Sequence, residues 1–278
     1  MQSYLIYRVL AIFVQNSELM KLKIALCQTD IVWGDISFNL ENAEKFIRAA
    51  DADLVVLPEM FSTGFEMEPS VLAETMEGKA VKWLKNTASQ SGKAIVCSMI
   101  IKDNGPDNTE RYYNRLFFAT PEGKLYKYDK RHLFSFSGED RNYTGGEERI
   151  IVDYKGFRIL PLICYDLRFP VWSRGSDEFD LMIYIASWPS SRIKVWDTLL
   201  KARAIENQSY VAGANRVGTD PSAIYDGHTA AIDFYGEAIA TANNGMEDIV
   251  VAELDLDALR SFREKFPAWR DSDRFEIF

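Results

Sequence analysis

Hydrophobic patterning predicts an α/β fold of mixed strands, and three observations carry that prediction. Apolar runs of strand length alternate with stretches whose apolar residues recur at helical spacing. Two strand–helix–strand units share one order: ADLVVLPEMF, a helix and KAIVCSMI, then FDLMIYIASW, a helix and SYVAGANR. Turn signals join other neighbouring strands as hairpins, so parallel and antiparallel pairs must coexist.

Each element has its own signal. KIALCQT (23–29) alternates and is bounded by polar residues, as a strand should. Leu40, Ala43, Phe46, Ile47 and Ala50 fall on one helical face. DLVVLPEMF (53–61) begins as a strand buried on both faces, and Pro58 ends it because proline cannot donate to a ladder. A helix then turns Ala80, Trp83, Leu84, Thr87 and Ala88 inward, with Gly92 placed to close it before the strand KAIVCSMII (93–101). Hairpins turn at PEG (121–123) and at Lys155-Gly156. FDLMIYIASW (179–188) is a buried strand, followed by a helix presenting Trp196, Leu199, Leu200 and Ala204. SYVAGANRV (209–217) reads as one strand, Tyr235-Gly236-Glu237 as a hairpin turn, and DIVVAEL with LDALRSFREKF as a closing strand and short helix.

Composition bounds the function. The 278 residues are 47% hydrophobic, 26% charged and 13% aromatic, which suits a globular protein with a large core. The net charge of −9 argues against a nucleic-acid partner, although it leaves room for a local basic pocket. No apolar stretch is long enough to cross a bilayer, so no membrane partner is expected. The longest polar loop, DNGPDNTER (103–111), is too short to separate domains, so residues 20–278 read as one domain. Residues 1–19 lack a basic start and a cleavage signal, and they read as an N-terminal extension ahead of Met20. Three cysteines, Cys27, Cys97 and Cys164, suit a reduced cytoplasmic protein. The two histidines, His132 and His228, make no zinc spacing with them, and no G-x-S-x-G elbow is present.

Candidate chemistry gathers at strand ends. Glu59 stands where a buried run stops; alone it fits a solvated loop carboxylate equally well. Lys130, in YDKRHLF, would by itself read as a surface charge, and His132 beside it as a structural hydrogen-bonding residue. Cys164 is the sharpest signal. It follows the apolar strand ILPLI and precedes a polar turn, as a nucleophile at a strand-to-helix elbow does, whereas Cys27 and Cys97 lie inside apolar strands. Glu139 is one acid among several in FSFSGEDRNYTGGEE, and Trp188 in IASWP either walls a pocket or fills the core. Together a carboxylate, an ammonium and a thiol supply what acyl transfer without histidine needs.

In that combination the chain resembles the nitrilase, or carbon–nitrogen hydrolase, superfamily. LPEMF matches its glutamate at Glu59, YDKRHLF its lysine at Lys130, ICYDLRFP its cysteine at Cys164, and Glu139 its second glutamate. The resemblance runs from about residue 21 to the C-terminus. It implies two mixed sheets in a four-layer α-β-β-α sandwich, a homodimer or larger homo-oligomer, and no cofactor or metal. The stretches YIASWP, KARAIENQSYVAGANRVG and EKFPAWRDSDRF are similar to the bacterial ω-amidase branch, which hydrolyses 2-oxoglutaramate and 2-oxosuccinamate. The implied reaction joins Cys164 to the amide carbonyl as a thioester, with Glu59 moving protons. Lys130 and the backbone N–H of Tyr165 hold the oxyanion. Glu139 could orient Lys130 or the substrate amide. Arg168, Arg192 and Arg203 are candidates for the substrate carboxylate, with Arg168 expected instead to pair with Asp166 and brace the elbow. Other expectations are an amidase acting on N-carbamoyl amines or deaminated glutathione, a nitrile hydrolase, or a catalytically silent binding protein. The silent protein should lack Glu59, Lys130 or Cys164, and all three are present.

Overall fold

The structure, a computed structural model, describes residues 20–105, 107–175 and 178–277; the expected extension at 1–19 lies outside them. In chain order the elements are β1 (Lys21–Gln28), α1 (Ile36–Ala49), β2 (Leu54–Val56), α2 (Lys79–Ser91), β3 (Ala94–Asn104), β4 (Glu110–Ala119), β5 (Leu125–Asp129) and the short α3 (Glu139–Asn142). There follow β6 (Val152–Tyr154), β7 (Phe157–Ile163), β8 (Leu181–Ala186), α4 (Ile193–Asn207), β9 (Tyr210–Asn215), β10 (Val217–Thr219), β11 (Ile224–Asp226), β12 (Ala230–Ile232), β13 (Ala238–Thr241), β14 (Asp248–Asp255) and α5 (Leu256–Lys265).

Two mixed six-stranded sheets result, ordered β14-β1-β2-β3-β4-β5 and β13-β12-β9-β8-β7-β6, with β10 and β11 as a small separate ribbon. Strand alternation builds the layers. On β1, Leu22, Ile24 and Leu26 face the core between the sheets, while Ala25 and Cys27 face a second core beneath α1 and α2. On the other sheet, Trp196, Leu200 and Ala204 are buried on α4, which packs against β9 and β12. This is the four-layer α-β-β-α sandwich.

Local chemistry sets the boundaries. Asp35 caps α1 by accepting from Phe38 N at 3.0 Å, and Gly92 ends α2 in the left-handed region at φ 67°. The polar stretch 103–111 is largely a hairpin: Asp103 pairs with Arg111 in register and Asn104 with Glu110. SYVAGANRV is not one strand. The chain breaks at Arg216, whose guanidinium is wholly buried and donates to Ile31 O at 2.8 Å, and β10 leaves the sheet to pair with β11.

Candidate active site

Four of the expected residues meet at the seam between the two sheets. Glu59 follows β2 and Lys130 follows β5, both from the first sheet; Cys164 follows β7 of the second. Glu59, Lys130 and Glu139 are all buried, at 0%, 1% and 0% exposure. Lys130 Nζ donates to Glu59 Oε1 at 3.0 Å and to Glu139 Oε1 and Oε2 at 3.1 and 2.9 Å. Glu139 opens α3, and its Oε2 also accepts from Phe134 N at 2.5 Å. Besides the Cys164 thiol, which hydrogen-bonds to it, Glu59 is held by residues with no catalytic signature. Asn114 Nδ2 donates to Oε1 at 2.7 Å, and the backbone N–H of Ser187, just past β8, donates to Oε2 at 2.8 Å.

Cys164 is half-buried and sits at φ 44°, a strained conformation for a side chain other than glycine. The turn that imposes it is clamped by Asp166. That buried carboxylate accepts from Ile163 N at 3.0 Å, Tyr128 Oη at 2.7 Å and His132 N at 3.0 Å, and lies 2.8 Å from His132 Nδ1. One side chain thus ties the cysteine turn to the loop that carries Lys130. His132 is a brace, stacked on Phe169 with ring centroids 3.7 Å apart.

The electrostatics are those of a dry cluster. Burial alone would push the Lys130 ammonium down, but Glu139 and Glu59 outweigh it and hold the group protonated well above the ordinary lysine range. Burial pushes the Glu139 carboxyl up, against the pull of Lys130. Burial also raises the Cys164 thiol well above its usual range; the charge of Glu59 adds to this and Lys130 opposes it. Burial and Glu59 thus both favour the protonated thiol over the thiolate.

Cys164 and Lys130 open onto a cavity of about 600 Å³. Trp188 forms part of its wall, 3% exposed, held by Trp188 N donating to Asn215 Oδ1 at 2.7 Å. Tyr165 also lines it, its ring edge-on to Phe134 and Phe169. Of the three expected arginines, two reach the cavity. Arg168 does not pair with Asp166, whose oxygens are taken by other donors; its guanidinium lies 5.3 Å over the Trp188 ring. Arg192 lies over Phe134 and Phe136 at 5.1 and 5.9 Å. Arg203 is buried elsewhere, donating to Leu167 O at 2.6 Å and paired with Glu206 at 2.9 Å. No carboxylate lines the cavity among the described residues, and none of them forms a group of three His, Cys, Asp or Glu side chains that could hold a metal ion.

Sequence reasoning missed Asn114 and Ser187 as parts of this site, and it placed Asp166 at the elbow with the wrong partner. Asn114 had a signal, a polar residue inside the apolar strand ERYYNRLFFA. Ser187 had none, since it contributes a backbone N–H.

Comparison with known proteins agrees with this geometry. The carbon-nitrogen hydrolase family model matches residues 23–264. The chain is 44% identical to Omega-amidase YafV of Yersinia enterocolitica over 91% of its own length and 98% of that protein's. It is 36% identical to the 2-oxoglutaramate amidase of Bacillus subtilis strain 168, over 91% and 98% of the two chains. XC1258 from Xanthomonas campestris, a CN-hydrolase superfamily protein with an arsenic adduct in its active site, superposes with a TM-score of 0.87 at 40% identity, covering 93% of this chain and 99% of that one. With the family match spanning Glu59, Lys130, Glu139 and Cys164, the chain belongs to the carbon–nitrogen hydrolase family.

Proposed function

We propose that the protein is an ω-amidase. It hydrolyses a short amide bearing a carboxylate at its far end, 2-oxoglutaramate or 2-oxosuccinamate, to the acid and ammonia through a thioester at Cys164. The observation that carries this reading is the pairing of Cys164 with the Glu59–Lys130–Glu139 cluster beneath a cavity that offers arginines and no acids. The names carried by the Yersinia and Bacillus relatives support it.

The lone pairs of Glu59 define its work. A carboxylate can accept about four hydrogen bonds. Asn114 and Lys130 occupy Oε1, and Ser187 N–H occupies one position on Oε2. One position on Oε2 is left for the Cys164 proton. Glu59 takes that proton as sulfur bonds the amide carbon. Lys130 and the N–H of Tyr165, at the start of the cysteine turn, hold the oxyanion, each worth roughly 2.7–4 kcal/mol. Glu59 then protonates the departing nitrogen, the C–N bond breaks and ammonia leaves. Water next attacks the thioester while giving a proton to Glu59. The C–S bond breaks and the proton returns to sulfur. Glu139 holds Lys130 throughout. Arg168, beyond Cys164 on the same turn, receives the substrate carboxylate.

Ammonia release from 2-oxoglutaramate, 2-oxosuccinamate, glutamine and an N-carbamoyl amine tests this, with Cys164→Ala as blank. The oxo-acid amides should give the highest kcat/KM. An uncharged amide or N-carbamoyl amine matching them would remove the ω-amidase assignment.

No helix among the described residues is long and apolar enough to cross a membrane. We propose further that the enzyme works in the cytoplasm as a homo-oligomer. Free thiols at Cys27 and Cys97 fit a reducing compartment, and exposed Ile205, Tyr235 and Phe266 are surfaces a second copy could cover. Light scattering would read the assembly directly.

A further inference from the structure

Where β8 and β9 part, a side chain takes over from the ladder. The two strands pair in parallel as far as Ala186 opposite Asn215. At Arg216 the chain turns away into β10, so β9 offers Ser187 and Trp188 no further backbone. The Asn215 amide fills that place. Its Oδ1 accepts from Trp188 N at 2.7 Å and its Nδ2 donates to Trp188 O at 3.0 Å, the two contacts a neighbouring strand would make. The second Nδ2 hydrogen goes to Gly227 O at 2.7 Å, so both donors of the amide are used.

The clamp is backed from the other sheet. Asn215 N donates to Thr229 Oγ1 at 3.0 Å, and that hydroxyl donates to Asn215 O at 3.1 Å. Thr229 N donates in turn to Gln28 Oε1 at 3.1 Å, and Gln28 ends β1. Gln28 also lies so close to Gly227 that a Cβ there would stand 2.0 Å from its Oε1. Asn215, Thr229 and Gln28 are wholly buried. Successive N–H groups of an extended chain point to opposite edges. With Trp188 N–H turned to Asn215 on the β9 side, Ser187 N–H is turned to the β7 side, where Cys164 follows its strand and Glu59 Oε2 lies 2.8 Å away.

We infer that Asn215, which does not line the cavity, is a positioning residue for Glu59: by pinning both polar groups of Trp188 it fixes the main chain that aims Ser187 N–H at Oε2. The inference rests on the reading of Glu59 as the base of amide hydrolysis and deepens it. If Asn215 served only to hold the Trp188 ring in the cavity wall, its loss would be felt in substrate binding. Acting through Glu59, it is felt in the chemical step.

The test is a double-mutant cycle between Asn215→Ser and Glu59→Gln in the full chain, read in two ways. With 2-oxoglutaramate, Asn215→Ser should lower kcat at least about tenfold and change KM less than about threefold. With iodoacetamide at fixed pH, it should speed alkylation of Cys164 at least about threefold, because a loosened Glu59 no longer holds the thiol proton in place. In the Glu59→Gln background, Asn215→Ser should change neither the residual turnover nor the alkylation rate. A general loosening of the fold would speed alkylation in both backgrounds. That result, an unchanged kcat, or a loss confined to KM would overturn the positioning role. Should Asn215→Ser fail to fold, Asn215→Thr, which fills more of the space, carries the same comparison. A parent chain that releases no ammonia from 2-oxoglutaramate, with Asn215 and Glu59 still coupled in alkylation, would keep the positioning role and sink the ω-amidase reading instead.

Discussion

Asn114 Nδ2 holds Glu59 Oε1 at 2.7 Å, across 55 residues of chain and with neither side chain exposed. Its own Oδ1 is buried without a partner among the described residues, which costs about 1–3 kcal/mol. That arrangement is explained if the amide serves to direct Glu59. Asn114→Leu should lower kcat at least about tenfold, a fraction of what a positioned base supplies, while KM changes little. A kcat unchanged in a folded Asn114→Leu protein would remove Asn114 from the mechanism.

In the proposed mechanism Glu59 accepts the thiol proton, and at rest its charge favours keeping that proton on sulfur, so its removal should separate reactivity from turnover. Burial raises the Cys164 thiol, and the Glu59 charge and hydrogen bond raise it further, against Lys130. Glu59→Gln deletes the second contribution. Iodoacetamide should then alkylate Cys164 at a lower pH than in the parent, while amide turnover falls at least about a hundredfold. Cys27, pushed up to about 12 by burial, should not react in the folded protein. Slower alkylation of Cys164 in Glu59→Gln would contradict this electrostatic account.

Lys130→Met leaves two carboxylates facing each other in a dry site. Breaking a buried ion pair from one side costs about 3–5 kcal/mol, so this variant should melt lower as well as lose turnover. The pH dependence has a definite sign. Glu139 already has a folded pKa raised above its ordinary value of 4.5. Such a group contributes stability that is full below 4.5 and is lost as pH rises through the raised value. Without Lys130 that value rises further. The deficit against the parent should therefore be largest near neutrality and shrink towards pH 4.5, read as the difference in Tm. Lys130→Met/Glu139→Gln should recover melting and remain inactive.

Arg168→Gln should raise KM for 2-oxoglutaramate at least about tenfold, the worth of a charge-assisted hydrogen bond, and leave kcat closer to the parent. Inhibition by 2-oxoglutarate should weaken in parallel. If the variant binds both normally, the carboxylate lies elsewhere.

We propose that residues 20–278 fold and act without 1–19. Met20 O accepts from Leu256 N at 2.9 Å, so the first described residue already joins the start of α5 to the body. A chain beginning at Met20 should match the full chain in Tm and kcat/KM. Insolubility of the shorter chain would show that the preceding residues are needed.

What could be read before the structure was the set of places where an apolar run stops. Glu59, Lys130 and Cys164 each follow a strand, and a strand end is visible in one dimension. Arg168 shows the limit. Asp166 looked like its partner because it is two residues away, but apart from Ile163 N the donors to Asp166 come from Tyr128 on β5 and His132 just beyond that strand. Such a contact is decided by how the sheets face each other. The break at Arg216 escaped notice for the same reason, since its partner Ile31 O is 185 residues distant. Ser187 could not have been found at all from residue types, because any residue but proline supplies the same N–H.

The placement of Glu59, Asn114 and Lys130 on one sheet, with Cys164 and Ser187 on the other, makes the chemistry a test of assembly. A folding intermediate with one sheet formed would hold a base and an ammonium with no sulfur to act on. One with the other sheet formed would carry a thiol with nothing to ionise it. Neither half is a reagent. If these residues act as proposed, a chain with its sheets apart would be chemically silent towards amides, and would become an enzyme when its two halves close.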